Sequence, residues 1–193
     1  MKNLKIKRMA SIALLMALVV VMQFVSGLIP PVSGFSISLV LIPIVLGAAL
    51  YGPSAGAVLG ATFGAIVYIN CVTGADVGGA MVFQANPVLC FAVVMGKGVL
   101  CGVASGLIYK LLSLKNVYIA MLCAAIICPL VNTGVFVVCM MTFFKDVLSA
   151  WAQGGDLIAY VLSGLVLCNF VPELIINIAF SPASVRIGQI VSK

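Results

Sequence analysis

A strip of glycines places the strongest constraint on how this chain can fold. Between residues 52 and 64 glycine recurs at every fourth position, at Gly52, Gly56, Gly60 and Gly64. Residues four apart lie on nearly the same face of an α-helix, so this spacing creates a face almost without side chains. In water each glycine inside a helix costs about 1 kcal/mol relative to alanine. In lipid a smooth face favours close backbone packing, so the spacing predicts a tightly packed membrane helix.

Two interpretations of this strip remain open from the sequence. It is either an internal packing surface or a surface on which another subunit docks and slides. A second small-residue face occurs in the first apolar run, where Ala13 and Ala17 are four residues apart. Small residues at this spacing are typical of helix contacts in membranes.

Composition identifies the chain as an integral membrane protein. Hydrophobic residues make up 64% of its 193 residues and charged residues 7%, and the mean hydropathy is +1.34. This profile lies outside the range of soluble domains. The apolar runs predict one all-α domain, a compact six-transmembrane-helix bundle in the lipid bilayer, with helices at about residues 9–29, 35–51, 53–72, 87–109, 117–144 and 157–180.

The distribution of charge predicts the orientation of this bundle. If the N-terminus is cytoplasmic, the outer segments carry Lys145 with Asp76, Asp146 and Asp156. The inner segments then carry the other basic residues outside the spans: Lys2, Lys5, Lys7, Arg8, Lys110, Lys115, Arg186 and Lys193. Cytoplasmic loops of membrane proteins are enriched in lysine and arginine, so both termini are predicted to be cytoplasmic. Basic residues clustered at helix ends do not indicate a nucleic-acid partner.

Two ionisable residues lie inside predicted spans, Lys97 and Glu173. A charge at the centre of a lone membrane helix costs at least about 2.5–3.5 kcal/mol, so both are expected to face the protein interior. They can pair with each other, or one of them can reach a polar ligand. Glu173 is expected nearer the cytoplasmic side, which makes Lys97 the stronger candidate for ligand binding.

Further polar and aromatic residues are candidates for a small-molecule site near the outer half of the bundle. Asn132 and Asn169 lie in the fifth and sixth predicted spans, and Gln84 and Asn86 flank the start of the fourth. Trp151 and Tyr160 follow the fifth span. The alternatives are interhelical hydrogen bonding for the two span asparagines, capping for Gln84 and Asn86, and an interfacial aromatic belt for Trp151 and Tyr160.

Enzymatic function is not indicated. The chain has no histidine, no Walker A motif and no cluster of carboxylates for a catalytic metal. The seven cysteines form no CxxC pair, so neither a metal nor another cofactor is expected. A hydrophobic bundle with few polar residues favours binding or transport, with energy supplied by partners.

Several segments, taken in order, resemble the substrate-binding S-components of energy-coupling factor (ECF) vitamin transporters. They are residues 13–17 (ALLMA), 41–47 (LIPIVLG), 51–57 (YGPSAGA) and 128–134 (CPLVNTG). The first matches the AxxxA signature of that group. The resemblance implies a multi-pass protein of a prokaryotic plasma membrane that binds a vitamin on the outer side. It also implies docking through helices one to three on a membrane coupling subunit, which carries two ATPase subunits.

By this resemblance, the partner contacts are Ala13 and Ala17, together with Gly56, Gly60 and Gly64 of the smooth strip. The substrate site is expected in the outer halves of helices four to six. Pantothenate is the preferred substrate, because Lys97 could meet its carboxylate in a charge-assisted contact, and riboflavin comes second. The alternative function is a structural or assembly subunit of a membrane complex with no solute of its own.

Overall fold

The computed structural model describes residues 2–28 and 38–191, in which all regular secondary structure is helical. The helices are α1 Lys2–Leu28, α2 Leu41–Tyr51, α3 Pro53–Thr73, α4 Val77–Ala85, α5 Pro87–Leu112, α6 Val117–Phe143, α7 Lys145–Trp151, α8 Leu157–Tyr160 and α9 Val171–Val191. A π-helical segment, Val161–Phe170, joins α8 to α9. We call α8, this segment and α9 together the last span.

Five helical stretches in the described residues are long and apolar enough to cross a membrane: Lys5–Leu28, Pro53–Thr73, Pro87–Leu112, Val117–Phe143 and Leu157–Ile190. The sequence predicts six. The difference is α2, which has only 11 residues and is therefore about 16 Å long, half of a bilayer core about 30 Å thick. The predicted start of this helix at residue 35, and the predicted stop at Pro30 and Pro31, lie outside the described residues.

The glycine strip of α3 packs against a second glycine strip on α5. A Cβ atom built on Gly60 would overlap the carbonyl oxygen of Gly98, and one built on Gly56 would overlap that of Gly102. The two helices run antiparallel and touch backbone to backbone. Of the two interpretations, internal packing is therefore correct, and the predicted partner-docking role of Gly56, Gly60 and Gly64 is wrong. Helix α5 of the same chain occupies their surface.

Two side chains anchor the segment that leads into α2. The Ser38 backbone N–H donates to Glu173 Oε1 of the last span at 3.0 Å, and the Leu39 N–H donates to Ser26 Oγ of α1 at 3.0 Å. Helix termini leave backbone groups without partners inside the helix, and these groups need others when buried. The start of the short α2 is thus tied to both neighbours in the middle of the bundle.

The last span continues past the predicted end at residue 180. Helix α9 includes Pro182 and extends to Val191. A proline removes the hydrogen bond to the carbonyl four residues earlier, here that of Ile178. Ser181 Oγ donates to this carbonyl at 2.8 Å, and Ser184 Oγ donates to the Phe180 carbonyl at 3.1 Å. Hydroxyl groups therefore satisfy the carbonyl that the proline leaves without a donor, and the helix persists.

The two connections predicted as outer loops contain short helices. Helix α4 lies in the first, and Asp76 caps it by accepting a hydrogen bond from the Gly79 N–H at 3.1 Å. Helix α7 lies in the second, directly after α6. Trp151 of α7 donates through Nε1 to Met81 Sδ of α4 at 3.2 Å. The two connections therefore meet over one end of the bundle.

The backbone contact between α3 and α5 predicts a large difference between two neighbouring glycines. Gly98→Ala should destabilise the protein by about 1–3 kcal/mol, because its methyl group would press on the Gly60 backbone. Gly96→Ala is the matched control, since a Cβ there meets nothing within 4 Å. Thermal unfolding of both variants in detergent measures the difference. Equal melting temperatures would contradict the contact.

Candidate functional site

A cavity of about 610 Å³ lies in the half of the bundle that carries α4 and α7. Side chains of α1, α3, α5, α6 and the last span form its walls, and Ser38 lies at its edge just before α2. The buried core residues Leu41, Ile44 and Leu59 have no exposed surface and fill the other half of the bundle. The cavity therefore ends near the middle of the bundle, where the short α2 begins.

The cavity collects the polar atoms that the fold leaves without partners. Six buried side-chain oxygen atoms have no hydrogen-bond partner within the described ranges: Gln23 Oε1, Ser38 Oγ, Asn132 Oδ1, Thr133 Oγ1, Asn169 Oδ1 and Glu173 Oε2. All six residues line this one cavity. Buried polar atoms without partners are rare in native proteins, and each requires an explanation. Six such oxygen atoms around one cavity indicate a binding site for a polar ligand.

Lys97 supplies a positive charge to this cavity from α5. Its Nζ atom lies 4.9 Å from the ring centroid of Phe136 and 5.7 Å from that of Phe63. These are cation–π distances, and such contacts contribute roughly 0.5–2 kcal/mol. Within the described part of the chain, no carboxylate forms an ion pair with Lys97. Of the two alternatives that the sequence leaves open for Lys97 and Glu173, a direct ion pair is therefore absent from the described structure, and the Glu173 carboxylate accepts the Ser38 N–H instead.

Glu173 supplies a carboxylate to the same cavity from the last span. The residue is 1% exposed, and its Oε1 atom accepts the Ser38 N–H described above. The Asn132 side chain lies beside this carboxylate. Asn177, one turn farther along, donates through Nδ2 to the Glu173 backbone carbonyl at 2.8 Å and stays outside the cavity lining. One carboxylate oxygen thus holds the fold, and the other faces the cavity unpaired.

Helices α4 and α7 cover the outer part of the cavity. Trp151 and residues 75–77 line it, together with Gly79 and Val82 of α4. The Trp151–Met81 contact joins the two covering helices. A cavity covered by two connections is suited to enclosing a small molecule, since ligand sites are concave and bury most of the ligand surface.

The sequence matches a known family over most of its length. A family model described as ECF transporter, substrate-specific component, matches residues 7–184. The chain belongs to this family. Members are membrane transporter subunits and not enzymes, and they provide the substrate specificity of an ECF transporter. No curated protein and no solved structure matches the chain.

Four of the seven substrate-binding residues predicted for this S-component line the cavity: Lys97, Asn132, Trp151 and Asn169. They come from α5, α6, α7 and the π-helical segment, which the fold brings together at one end of the bundle. The buried oxygen atoms of Asn132 and Asn169 are two of the six without partners. Neither of these two oxygen atoms accepts a hydrogen bond from a described residue.

The other three predicted residues lie outside the lining of this cavity. Asn86 caps α5, since its Oδ1 atom accepts a hydrogen bond from the Leu89 N–H at 3.0 Å. Gln84 is exposed on α4. The Tyr160 ring packs beside Gly164 on its own span. The positions of Asn86 and Tyr160 fit the capping and packing roles that the sequence left open.

Sequence reasoning undervalued Glu173 and missed Gln23 and Thr133. Glu173 was expected near the cytoplasmic side because the last helix was predicted to end at residue 180. Since α9 continues to Val191, Glu173 lies deep in the bundle instead. The spacing of Asn169 and Glu173, four residues apart, did contain the signal for a shared polar face. Gln23, a polar residue within an apolar run, was a second available signal.

The unpaired hydroxyl of Thr133 predicts opposite effects on stability and on binding. Thr133→Val should stabilise the protein without added substrate by about 1 kcal/mol, because a buried polar atom without a partner is removed. The same change should weaken binding of a substrate in the cavity. Thermal unfolding and ligand titration measure the two effects.

Thr142→Val is the matched control on the same helix. Its exposed hydroxyl donates to the Val138 carbonyl at 2.8 Å, away from the cavity. This change should alter stability by less than about 0.5 kcal/mol and leave binding unchanged. If Thr133→Val proved the more destabilising of the two, the hydroxyl would have a structural role.

Proposed function

We propose that this S-component captures a small vitamin in the cavity between α1, α3, α5, α6 and the last span. The observation that carries the proposal is the set of six unpartnered polar atoms around a cavity of about 610 Å³. Ligand pockets are commonly about 300–1,000 Å³, mostly apolar, with a few convergent polar groups. A vitamin would provide hydrogen-bond partners that the protein itself lacks there.

The cavity opens toward the outer side of a prokaryotic plasma membrane in this proposal. Basic residues support this orientation, because Arg8 donates to the Tyr51 carbonyl at 2.9 Å and so lies at the end of the bundle opposite α4 and α7. Lys110 in the last turn of α5 and Lys115 just after this helix lie at the same end, since Gly106 of α5 packs against Pro53. Positive residues favour the cytoplasmic side, so the covered end faces outward.

Pantothenate is the preferred substrate and riboflavin the second. Lys97 supports the choice of pantothenate. Its side chain lines the cavity beside the Phe136 ring, and its ammonium group can form a charge-assisted hydrogen bond to a carboxylate. The cavity volume accommodates either vitamin. Riboflavin would instead use the amide and hydroxyl groups of the lining and leave Lys97 without an anion.

The coupling subunit docks on helices one to three in this proposal, with α1 providing the main contact. Ala13 and Ala17 are exposed in the chain, as is Leu14 between them at 72%. This face of α1 is free of contacts with the described helices and contains small residues at a helix-packing spacing. Two ATPase subunits attached to the coupling subunit would supply the energy.

The experiment that tests the function uses the single tryptophan, which lines the cavity. The purified protein in detergent is titrated with a vitamin panel that includes pantothenate and riboflavin, while Trp151 fluorescence is recorded. Native mass spectrometry on the same sample detects a co-purified ligand. A saturable response to one compound supports capture. A folded protein without response or bound compound would favour the structural or assembly subunit.

The vitamin cavity and the α1 docking face are separate sites in this proposal. A change in the docking face should therefore abolish vitamin transport and preserve vitamin binding. The double change Ala13→Leu, Ala17→Leu should reduce vitamin uptake more than about tenfold, because bulky side chains prevent close approach of a partner helix. Binding in detergent should remain within about twofold, since neither residue lines the cavity. Uptake in cells and titration of the purified variant give the two numbers.

Ala92→Leu is a suitable control, because Ala92 is exposed on α5, away from α1. This change should preserve both uptake and binding. If the α1 double variant lost binding while still folded, the proposed separation of the two sites would be incorrect.

A further inference from the structure

The cavity contains two opposite charges that do not neutralise each other directly. Lys97 and Glu173 both line it, yet they form no ion pair within the described residues. A charged residue inside a membrane span is costly and marks a functional position. The immediate surroundings of each charge show which chemical group it lacks.

Lys97 lacks an anion. Its ammonium group faces the rings of Phe63 and Phe136, which attract a cation but do not neutralise it. Its three N–H donors need acceptors, and an ammonium group has no acceptor capacity of its own. The aromatic rings also restrict water near the charge, and a drier environment strengthens any contact with an anion.

Glu173 lacks a hydrogen-bond donor. Its Oε1 atom already accepts the Ser38 N–H at the entry to α2, so this half of the carboxylate has a partner. Its Oε2 atom is buried in a residue only 1% exposed and has no partner within residues 2–28 and 38–191. An ionised carboxylate only accepts hydrogen bonds, so the cavity requires a donor at this point.

The Asn132 side chain lies beside the Glu173 carboxylate, but no described side chain meets Oε2 with hydrogen-bond geometry. Asn132 and Asn169 each have a buried side-chain oxygen without a partner. An asparagine can reverse its amide and present either an oxygen or an NH₂ group, so these residues adapt to a ligand. The Lys97 ammonium group can only donate and the Glu173 carboxylate, when ionised, can only accept, so these two residues define the selectivity.

We propose that the cavity selects a two-ended small molecule, with an anionic group against Lys97 and hydroxyl or N–H donors against Glu173 Oε2. This inference rests on the proposed function and narrows its substrate class to organic acids or phosphates that also carry donors. Pantothenate, with a carboxylate, an amide N–H and two hydroxyl groups, has the required polarity. Riboflavin, which is neutral, does not.

The first arm of the test compares charged with neutral vitamins on the wild-type protein. The anionic probes are pantothenate, nicotinate, biotin and pyridoxal phosphate, and the neutral ones are riboflavin, pyridoxine and pantothenyl alcohol. An anionic probe should bind best, and pantothenate should bind about ten- to a hundredfold more tightly than its alcohol, which differs only at the carboxylate. Binding of the phosphate probe alone would identify phosphate as the anion.

The second arm removes each charge in turn and uses pantothenate, or the anionic probe that binds in its place. Lys97→Met should weaken binding about ten- to a hundredfold and abolish the preference over the neutral analogue. Glu173→Gln keeps an oxygen for the Ser38 N–H and puts an NH₂ group where Oε2 was. Binding should then fall at least about tenfold, because a donor would face the donors of the probe.

Matched control variants distinguish the loss of a specific ligand contact from a general loss of structure. Lys110→Met removes an exposed lysine from the same helix, outside the cavity, and should leave affinity and preference unchanged. Asn177→Leu disturbs the last span next to Glu173 without touching the lining. It should preserve the preference for the anionic probe over its neutral analogue. Thermal unfolding confirms that each variant is folded.

Three results would overturn the inference and leave the proposed function intact. They are preferential binding of a neutral vitamin, equal binding of pantothenate and its alcohol, and an unchanged preference in Lys97→Met. Unchanged affinity in a folded Glu173→Gln protein would overturn the donor requirement. By contrast, failure of the wild-type protein to bind any probe, with no co-purified compound, would overturn the proposed function itself.

Discussion

The backbone contact between α3 and α5 is the constraint on which the rest of the structure depends. Gly56, Gly60 and Gly64 meet Gly102, Gly98 and Val94 across an interface with almost no side chains. Close packing against α3 fixes α5, and residues of both helices, among them Phe63, Val94 and Lys97, line the cavity. In lipid, where hydrophobic burial does not drive helix association, such a contact is an effective way to hold two helices.

A second constraint comes from Glu173, which takes part in both the fold and the site. One of its oxygens holds the segment before α2, and the other faces the cavity. The short α2 fills only one half of its position in the bundle, so the half that lies toward α4 and α7 remains available for a cavity. Glu173 therefore both anchors the segment before α2 and lines the cavity beside it.

The sequence predicted the membrane class, the family and the approximate limits of α3, α5 and α6, because long apolar runs and glycine spacing are local signals. It did not predict which helix covers the glycine strip, since a smooth face looks the same whether its neighbour is α5 or another protein. It also misjudged the depth of Glu173. Proline normally predicts the end of a helix. Here the Ser181 hydroxyl donates to the carbonyl that Pro182 leaves without a donor, and the helix continues.

The candidate site was predicted in part, because some of its residues also give local signals in the sequence. Lys97, Asn132 and Asn169 stand out because polar residues are rare in apolar spans. Gln84 and Asn86 were chosen by their nearness to a predicted helix start, and Asn86 is used for capping. The pairing of Ser38 with Glu173 joins residues 135 positions apart, and no local pattern reveals a contact of that range.

Lys97 and Gly98 are consecutive, and this adjacency has a consequence for how ligand affinity could evolve. Gly98 touches the α3 backbone, while Lys97 carries the charge in the cavity. Any substitution that moves α5 relative to α3 also moves the ammonium group. Small residues far from the bound molecule could thus tune recognition by displacing a whole helix, while every side chain that lines the cavity stays the same.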